Sequence, residues 1–198
     1  MKEQLIVAIG REFGSGGHEI ARQLAARLNL PLYDQNMLQV IAAERMADIK
    51  ALEVYDEQPR KRIVSRRLKG FSNAPEDAVA QMEFDYMKEQ AQNVNSFFVL
   101  GRCAEAVLEE YPGLISIFVR ADVNFKKERT MAREAITEEE ARALMNRTDR
   151  QRRAYHDQFC IHPWGGAETY DLLIDSSHLG IEGTVEVLDY YIQKRRDA

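Results

Sequence analysis

LIVAIGREFGSGGHE, residues 5–19, decides the fold. Leu5 to Ile9 is a continuous apolar, partly β-branched run, the composition of a strand covered on both faces, and Gly10 ends it. A glycine-rich turn then opens directly into a helical pattern. Ile20, Leu24 and Leu28, with Ala21 and Ala25 beside them, lay one apolar stripe along a helix that Asn29 and Pro31 stop. Gly14, Gly16 and Gly17 lack a Cβ, so successive backbone N–H groups can turn inward as a concave nest at a helix N-terminus, where the dipole also favours an anion. The segment reads either as a phosphate cradle or as a tight strand-to-helix connection.

Outward from this unit the alternation continues. Pro31 to Tyr33 is a short extended piece, and Asp34 is a suitable N-cap for a helix through about Ala47. Phe97 to Leu100 and Leu114 to Val119 are further apolar strands, the second followed by a helix from Asn124 to about Glu134. Thr137 and Glu140 have capping-box spacing, which assigns the Glu138-Glu139-Glu140 triplet to the positive end of a helix rather than to a metal. Tyr170 to Asp175 is the last strand, with Asp175 expected to anchor a turn with Ser176, and Ile181 to about Gln193 is the last helix. Uniformly apolar strands alternating with helices predict a parallel α/β sheet with helices on both faces, and ligands in such sheets sit beyond the carboxyl ends of the strands. The stretch from Asp48 to Asn95 is looser, with a helix-like pattern from Glu76 to Gln92 and too few apolar residues for a core of its own.

The 198 residues are 45% hydrophobic and 30% charged, with a net charge of −5, a composition of folded protein that argues against a general nucleic-acid binder. The charge is polarised. Residues 60–69 hold six basic and no acidic side chains, and residues 142–153 five basic and one acidic, so the remainder is strongly acidic. Two cysteines, Cys103 and Cys160, exclude a disulfide framework and a four-cysteine zinc site. His156, His162 and His178 show no tight ligand spacing with one another or with Cys160, so no structural metal is expected. Leu5 to Ile9 is too short to span a bilayer and Glu3 spoils a signal-peptide start, which makes the cytoplasm the expected location, with no membrane partner.

The usual P-loop ends in Gly-Lys-Ser/Thr, its Lys serving the β and γ phosphates and its hydroxyl Mg²⁺. Aligned on Gly14 and Gly16, those two positions are here Gly17 and His18. Arg11 is placed to supply the missing charge from another direction, and Ser15 to add a hydroxyl donor. His18 is either a metal ligand or a surface residue at a helix start.

IVAIGREFGSGGHEIARQLAARLNLPLYD (6–34), FFVLGRCAEAVL (97–108), DRQRRAY (149–155) and YDLLIDSSHLGIEGTVEVL (170–188) together resemble the cytidylate kinase-like family, a branch of the P-loop nucleoside monophosphate kinases. The resemblance runs in order over nearly the whole chain and is weakest from Asp48 to Asn95. It implies a three-layer P-loop kinase fold: a five-stranded parallel sheet with helices on both faces, a helical acceptor-side insertion and a helical lid. The chain then forms a single domain whose core is 1–47, 96–136 and 168–198, with the insertion at 48–95 and the lid at 137–167. It implies ATP and Mg²⁺ as cofactors and a nucleoside monophosphate, CMP or dCMP foremost, as acceptor.

The resemblance assigns Arg11, Phe13, Gly14, Ser15, Gly16, Gly17, His18 and Glu19 to the donor nucleotide. Arg102 matches the family's Gly-Arg motif and is expected on the acceptor phosphate, its plainer reading being a turn residue paired with a carboxylate. Asp34 is either the acceptor-side Asp or only a helix cap. Arg45 and Arg129 are further acceptor-side arginines, the latter within a basic face with Lys126, Lys127 and Arg133. Arg147, Asp149, Arg150, Arg152 and Arg153 form the lid, where Asp149 and Arg152 match the Asp-x-x-Arg spacing. Arg11, Arg147, Asp149, Arg152 and Arg153 are the catalytic candidates, arginines closing on the transferring phosphoryl group. Tyr155, Trp164 and Tyr170 are expected to pack the lid onto the body. Phe71, Met82, Phe84, Tyr86 and Met87 in the insertion either cover the site or bind a second copy in a homodimer. Two other functions stay open: a nucleotide- or phosphate-binding regulatory protein that lost catalysis with the lysine, and a kinase for a different small acceptor. RNA binding through residues 60–69 is disfavoured because the run lacks interleaved aromatics.

Overall fold

Ile6–Arg11 form strand β1, and all six residues are buried. Period-two alternation sends Ile6 and Ala8 into one apolar cluster and Val7 and Ile9 into another, so this strand divides two cores. The computed structural model describes residues 4–45, 56–59, 67–68, 71–72 and 74–196, with the backbone alone at 45, 67–68 and 71–72. Most of the basic run 60–69 and the side chains of Arg45 and Phe71 lie outside the described residues.

After β1 come helix α1 (Gly17–Leu28), strand β2 (Leu32–Tyr33) and helix α2 (Met37–Arg45). A two-residue antiparallel pair, β3 (Arg67–Leu68) with β4 (Phe71–Ser72), precedes helix α3 (Pro75–Gln92). Strand β5 (Phe97–Leu100), the short helix α4 (Ala104–Val107), strand β6 (Leu114–Arg120) and helix α5 (Val123–Glu134) follow. Helix α6 (Glu138–Phe159), strand β7 (Leu172–Asp175) and helix α7 (Ser176–Arg196) complete the order, the last kinked at Gly180. The five-stranded sheet runs β2-β5-β1-β6-β7 and is parallel throughout, with Ile6 opposite both Phe97 and Leu114.

Met37, Leu38, Ile41, Val79, Phe84 and Met87 cover one face of the sheet, and Ile20, Leu24, Val185, Leu188 and Ile192 the other, which gives three layers. Helix α3 thus contributes to the main core. Phe84 and Met87, expected to cover the site or a second subunit, are buried there. Trp164 and Tyr170 pack on Phe118 in a third cluster, and Tyr155 is buried.

Local rules account for several helix boundaries. Thr137 and Glu140 form the reciprocal capping box that starts α6. Asp34, by contrast, does not directly cap the helix expected after it, whose end at Ala47 lies outside the described residues. Its carboxylate accepts from the Asn36 N–H at 3.1 Å, a local turn that delays α2 until Met37. The turn after β7 is closed by Ser177, which donates to Asp175 from both its backbone N–H and its hydroxyl. Ser176, the residue expected there, is buried and donates to the Ser15 carbonyl at 2.6 Å instead. No helix among the described residues is long and apolar enough to cross a membrane.

Thr137→Ala removes the acceptor for the Glu140 N–H, and the expected loss is about 1 kcal/mol, read as a lower urea midpoint at an unchanged slope.

Candidate functional site

At the carboxyl end of β1 the chain turns through Glu12 to Gly16 into α1. This loop is held from two sides. The Phe13 N–H donates to Asp149 Oδ1 of α6 at 2.6 Å, and Lys126 Nζ of α5 lies 2.9 Å from Glu12 Oε2. Gly16 has φ 82, a left-handed conformation that favours glycine, and a Cβ there would have to displace the tip of Ile181. Among the described residues no acceptor meets the N–H groups of Gly14, Gly16, His18 or Glu19, the donor arrangement of a helix-start anion cradle. Ser15 does not add a free hydroxyl to it. Its Oγ is fully buried, donates to the Glu12 carbonyl at 2.8 Å and accepts from the Gly17 N–H.

The loop opens on a cavity of about 590 Å³, within the range of small-ligand sites. Arg22, Arg129, Arg133 and Arg152 face it together with Arg11. Arg133 lies 4.9 Å and Arg152 5.8 Å from the ring centre of Phe13, which therefore orients two cations at the mouth of the loop. Arg129 pairs with Glu19 at 2.9 Å, on the glycine-loop side rather than the expected acceptor side. Arg152 also donates to the Arg11 carbonyl at 3.3 Å; burial, then repulsion from Arg11, brings its guanidinium down to about 9. His18 is exposed and bonded to Asp34 Oδ2 at 2.7 Å.

Behind the loop lies a second cluster built on Arg102, whose side chain is 1% exposed. Its Nε donates to Glu83 Oε1 at 2.9 Å, and its Nη2 to Asp56 Oδ2 at 2.7 Å and to the Asp34 carbonyl at 3.1 Å. Nη1 is 2.9 Å from Glu57 Oε1 but off the hydrogen-bond direction, so that contact is ionic only. Glu57 also receives Arg11, at 3.0 and 3.3 Å. Burial opposes its ionisation, yet Arg11 and Arg102 hold the Glu57 carboxyl well below the usual range. Glu83 goes the other way: burial pushes its carboxyl up to about 8 against the pull of Arg102, and Asp56 is also raised by burial. One carboxylate thus sits ionised between two arginines, next to a carboxyl that retains its proton near neutrality.

Arg11 explains the glycine at position 17. A Cβ on Gly17 would lie 2.5 Å from Arg11 Cβ, so the arginine occupies the room that a lysine there would need. Of the residues expected in a lid, Asp149 and Arg152 face the loop. Asp149, its carboxyl raised by burial, holds the Phe13 N–H. Arg153 is exposed and stacks over Trp164 at 5.1 Å, while Arg147 and Arg150 line a separate surface groove with Gln58 and Pro59. Asp56, Glu57, Glu83, Arg22 and Arg133 escape the sequence reading. The 129/133 spacing places both arginines on one helix face, and Glu83 interrupts the apolar stripe of α3; both signals were available.

A parallel sheet with a glycine loop and converging arginines at its carboxyl edge defines a P-loop kinase fold. The sequence pattern of the cytidylate kinase-like family matches residues 6–178, and the chain belongs to that family. A cytidylate kinase of Pyrobaculum islandicum is 26% identical over 189 residues, which cover 94% of this chain and 92% of that one. A crystal structure of an uncharacterized protein from Eubacterium ventriosum is 31% identical, covers 96% of this chain and 99% of its own, and superposes with a TM-score of 0.74. Shikimate kinase from Bacteroides thetaiotaomicron shares the fold at 12% identity, with a TM-score of 0.55 over 96% of this chain and 98% of that one. Family and fold support nucleotide-dependent phosphoryl transfer, chemistry that in kinases is ATP-dependent and usually uses Mg²⁺.

Two outcomes follow from the geometry. Gly17→Ala forces Cβ against Arg11 and lowers stability by about 1–3 kcal/mol in chemical denaturation. Between about pH 5 and 8 folded Glu83 keeps a proton that the unfolded chain releases, so stability falls as pH rises through that window. Glu83→Gln flattens this slope, which urea midpoints at pH 5 and pH 8 will show; parallel profiles for the two proteins would contradict the assignment.

Proposed function

We propose that this protein is a cytoplasmic kinase that transfers the γ-phosphoryl group of ATP to a nucleoside monophosphate, CMP or dCMP being the leading acceptor. The observation that carries this reading is the Glu57 carboxylate held between Arg11 and Arg102 beside the glycine loop. Arginines from the end of β1 and the turn after β5 converge on one anion, with Arg152 of α6 adding to the field. A kinase that must hold an acceptor phosphate in line with its donor needs such a convergence.

The glycine loop fits a polyphosphate chain. It offers N–H groups without protein acceptors, glycines whose replacement would fill the cradle, and a wall of arginines. Carboxylates around it are already engaged, Glu12 with Lys126 and Glu19 with Arg129, so Mg²⁺ has its natural ligands in phosphate oxygens and water. When bound, Mg²⁺ neutralises charge on the phosphates being parted. Among the chain's own residues, Phe13 orients Arg133 and Arg152 at the loop mouth, and Asp149 fixes the loop through its N–H. Helix α6 serves as the lid, and Arg152 meets the transferring group. An acceptor phosphate replaces Glu57 between Arg11 and Arg102, while His18 and Asp34 border the acceptor side.

A second reading draws on the same carboxylate. Glu57 is held ionised by two arginines, a weak base but an acceptor placed to orient the hydroxyl of another small molecule in a kinase of different specificity. ADP release with a panel of nucleoside monophosphates, sugars and hydroxy acids separates the two. For a nucleoside monophosphate, Glu57→Gln lowers KM and Arg152→Ala reduces kcat on the order of 10³-fold. For a hydroxyl acceptor that Glu57 orients, Glu57→Gln raises KM and lowers kcat instead. ATP binding without turnover on any acceptor would defeat both and leave the phosphate-binding regulatory reading. Arg102→Ala is a poor probe, because it strands Glu83 and Asp56 in the interior.

A further inference from the structure

His156, in the last turn of α6, and Cys160, which caps its end, lie against the start of α4, where Cys103 is the N-cap and Glu105 the second helical residue. Glu105 Oε1 lies 2.8 Å from His156 Nε2 and 3.9 Å from Cys160 Sγ, and the three ligand atoms all fall within 4.8 Å of one another. The Cys103 thiol lies near that of Cys160 and influences its ionisation. A void of about 20 Å³ touches Cys103, Glu105 and His156 but not Cys160, and Arg11, Arg102 and Arg152 also border it. Glu105 and His156 side chains are each 4% exposed, and His156 Nδ1 is buried without a hydrogen bond, 3.9 Å from Asp157 Oδ1.

We propose that Glu105, His156 and Cys160, completed by Cys103, form a tetrahedral binding site for a borderline-soft divalent cation, zinc. Bonds of about 2.0–2.3 Å to oxygen, nitrogen and sulfur set tetrahedral ligand atoms roughly 3.3–3.8 Å apart. The separations of 2.8 and 3.9 Å bracket that spacing, so small rotations of the side chains suffice. Cys103 lies farther out, near Cys160, and borders the void that Glu105 and His156 also line. Two sulfurs and an imidazole select against Mg²⁺ and Ca²⁺, which take oxygen ligands. Coordination through Nε2 leaves the His156 Nδ1–H to donate towards Asp157, the outer carboxylate that zinc-bound histidines usually have. A buried Glu105–His156 ion pair alone leaves both thiols unexplained, and a Cys103–Cys160 disulfide leaves the carboxylate and imidazole unexplained. The site would tie the end of α6 to the turn that presents Arg102. It stands apart from the kinase reading, since no substrate enters the argument.

The test uses the full chain, stripped with a chelator and kept reduced, without nucleotide. Dialysis against zinc followed by elemental analysis is expected to leave one equivalent bound, with a raised Tm. Cobalt(II) in its place gives the intense d–d absorption of a tetrahedral site and a thiolate charge-transfer band. Cys160→Ser, at a partly exposed position, and His156→Gln each weaken binding by about 100-fold or more, and Cys103→Ser weakens it too. His178→Gln, on the exposed surface, leaves the cobalt spectrum unchanged. Less than a tenth of an equivalent of metal in the wild type, an octahedral cobalt spectrum, or equal affinity in Cys160→Ser would each overturn the proposal. So would reduced protein that takes up no metal but forms a Cys103–Cys160 disulfide in air. If His156→Gln fails to fold, the cysteine variants still decide.

Discussion

A guanidinium sealed from water cannot shed its charge, and that constraint organises the acceptor side of this protein. Arg102 is 1% exposed, so its charge must be met within the fold. Carboxyl groups from two other segments meet it: Asp56 and Glu57 from the stretch before β3, and Glu83 of α3, which accepts its Nε–H. Removing one member of such a buried set costs about 3–5 kcal/mol, because it leaves a charge without compensation. The same cluster supports an unfavourable backbone. Arg102 and the following Cys103 both lie in the left-handed region, at φ 61 and φ 53, a conformation that costs roughly 1–2 kcal/mol per residue. The ion pairs fix the guanidinium, and the guanidinium fixes the turn.

The loop without a lysine follows from packing at a neighbouring position. Arg11 closes β1 and passes its Cβ so near Gly17 that no side chain fits there. Arginine at one position and glycine at the other are therefore a single steric solution, and the loop's positive field comes from elsewhere. Arg129 and Arg133 on α5 and Arg152 on α6 surround the cavity from the far wall. Planar guanidiniums reach phosphate oxygens from several directions, which suits a cradle whose charge is distributed around its rim.

Much of this was legible in the sequence, and the reasons it was legible are local. Leu5 to Ile9 spells a strand covered on both faces, the glycines a turn, and the Thr137–Glu140 spacing a helix start, each fixed by residues a few positions apart. Asp34 failed for a related reason. Asx turns and helix caps use the same side chain, and only the Asn36 N–H decided between them. Arg102 was found from its Gly-Arg motif, but its partners stand 19 and 46 residues away in a poorly patterned segment. Glu83 was visible in principle, as a carboxylate among Val79, Ala80 and Met87 on the buried side of α3. The four-residue separation of His156 and Cys160 was not read as ligand spacing, and only the fold brings Glu105 beside them.

Helix α6 runs unbroken from its capping box to Phe159. Asp149 grips the glycine loop, Gln151 reaches the Glu57 carbonyl at 3.5 Å, and His156 meets Glu105, all within two turns or about 10 Å of axis. A helix this well anchored turns about its axis or slides as one piece, so these three neighbourhoods share one mechanical degree of freedom. Coupling through a shared element is reciprocal. Whatever free energy a ligand at the loop lends to the Glu57 side, a ligand on the Glu57 side must return to the loop in equal measure.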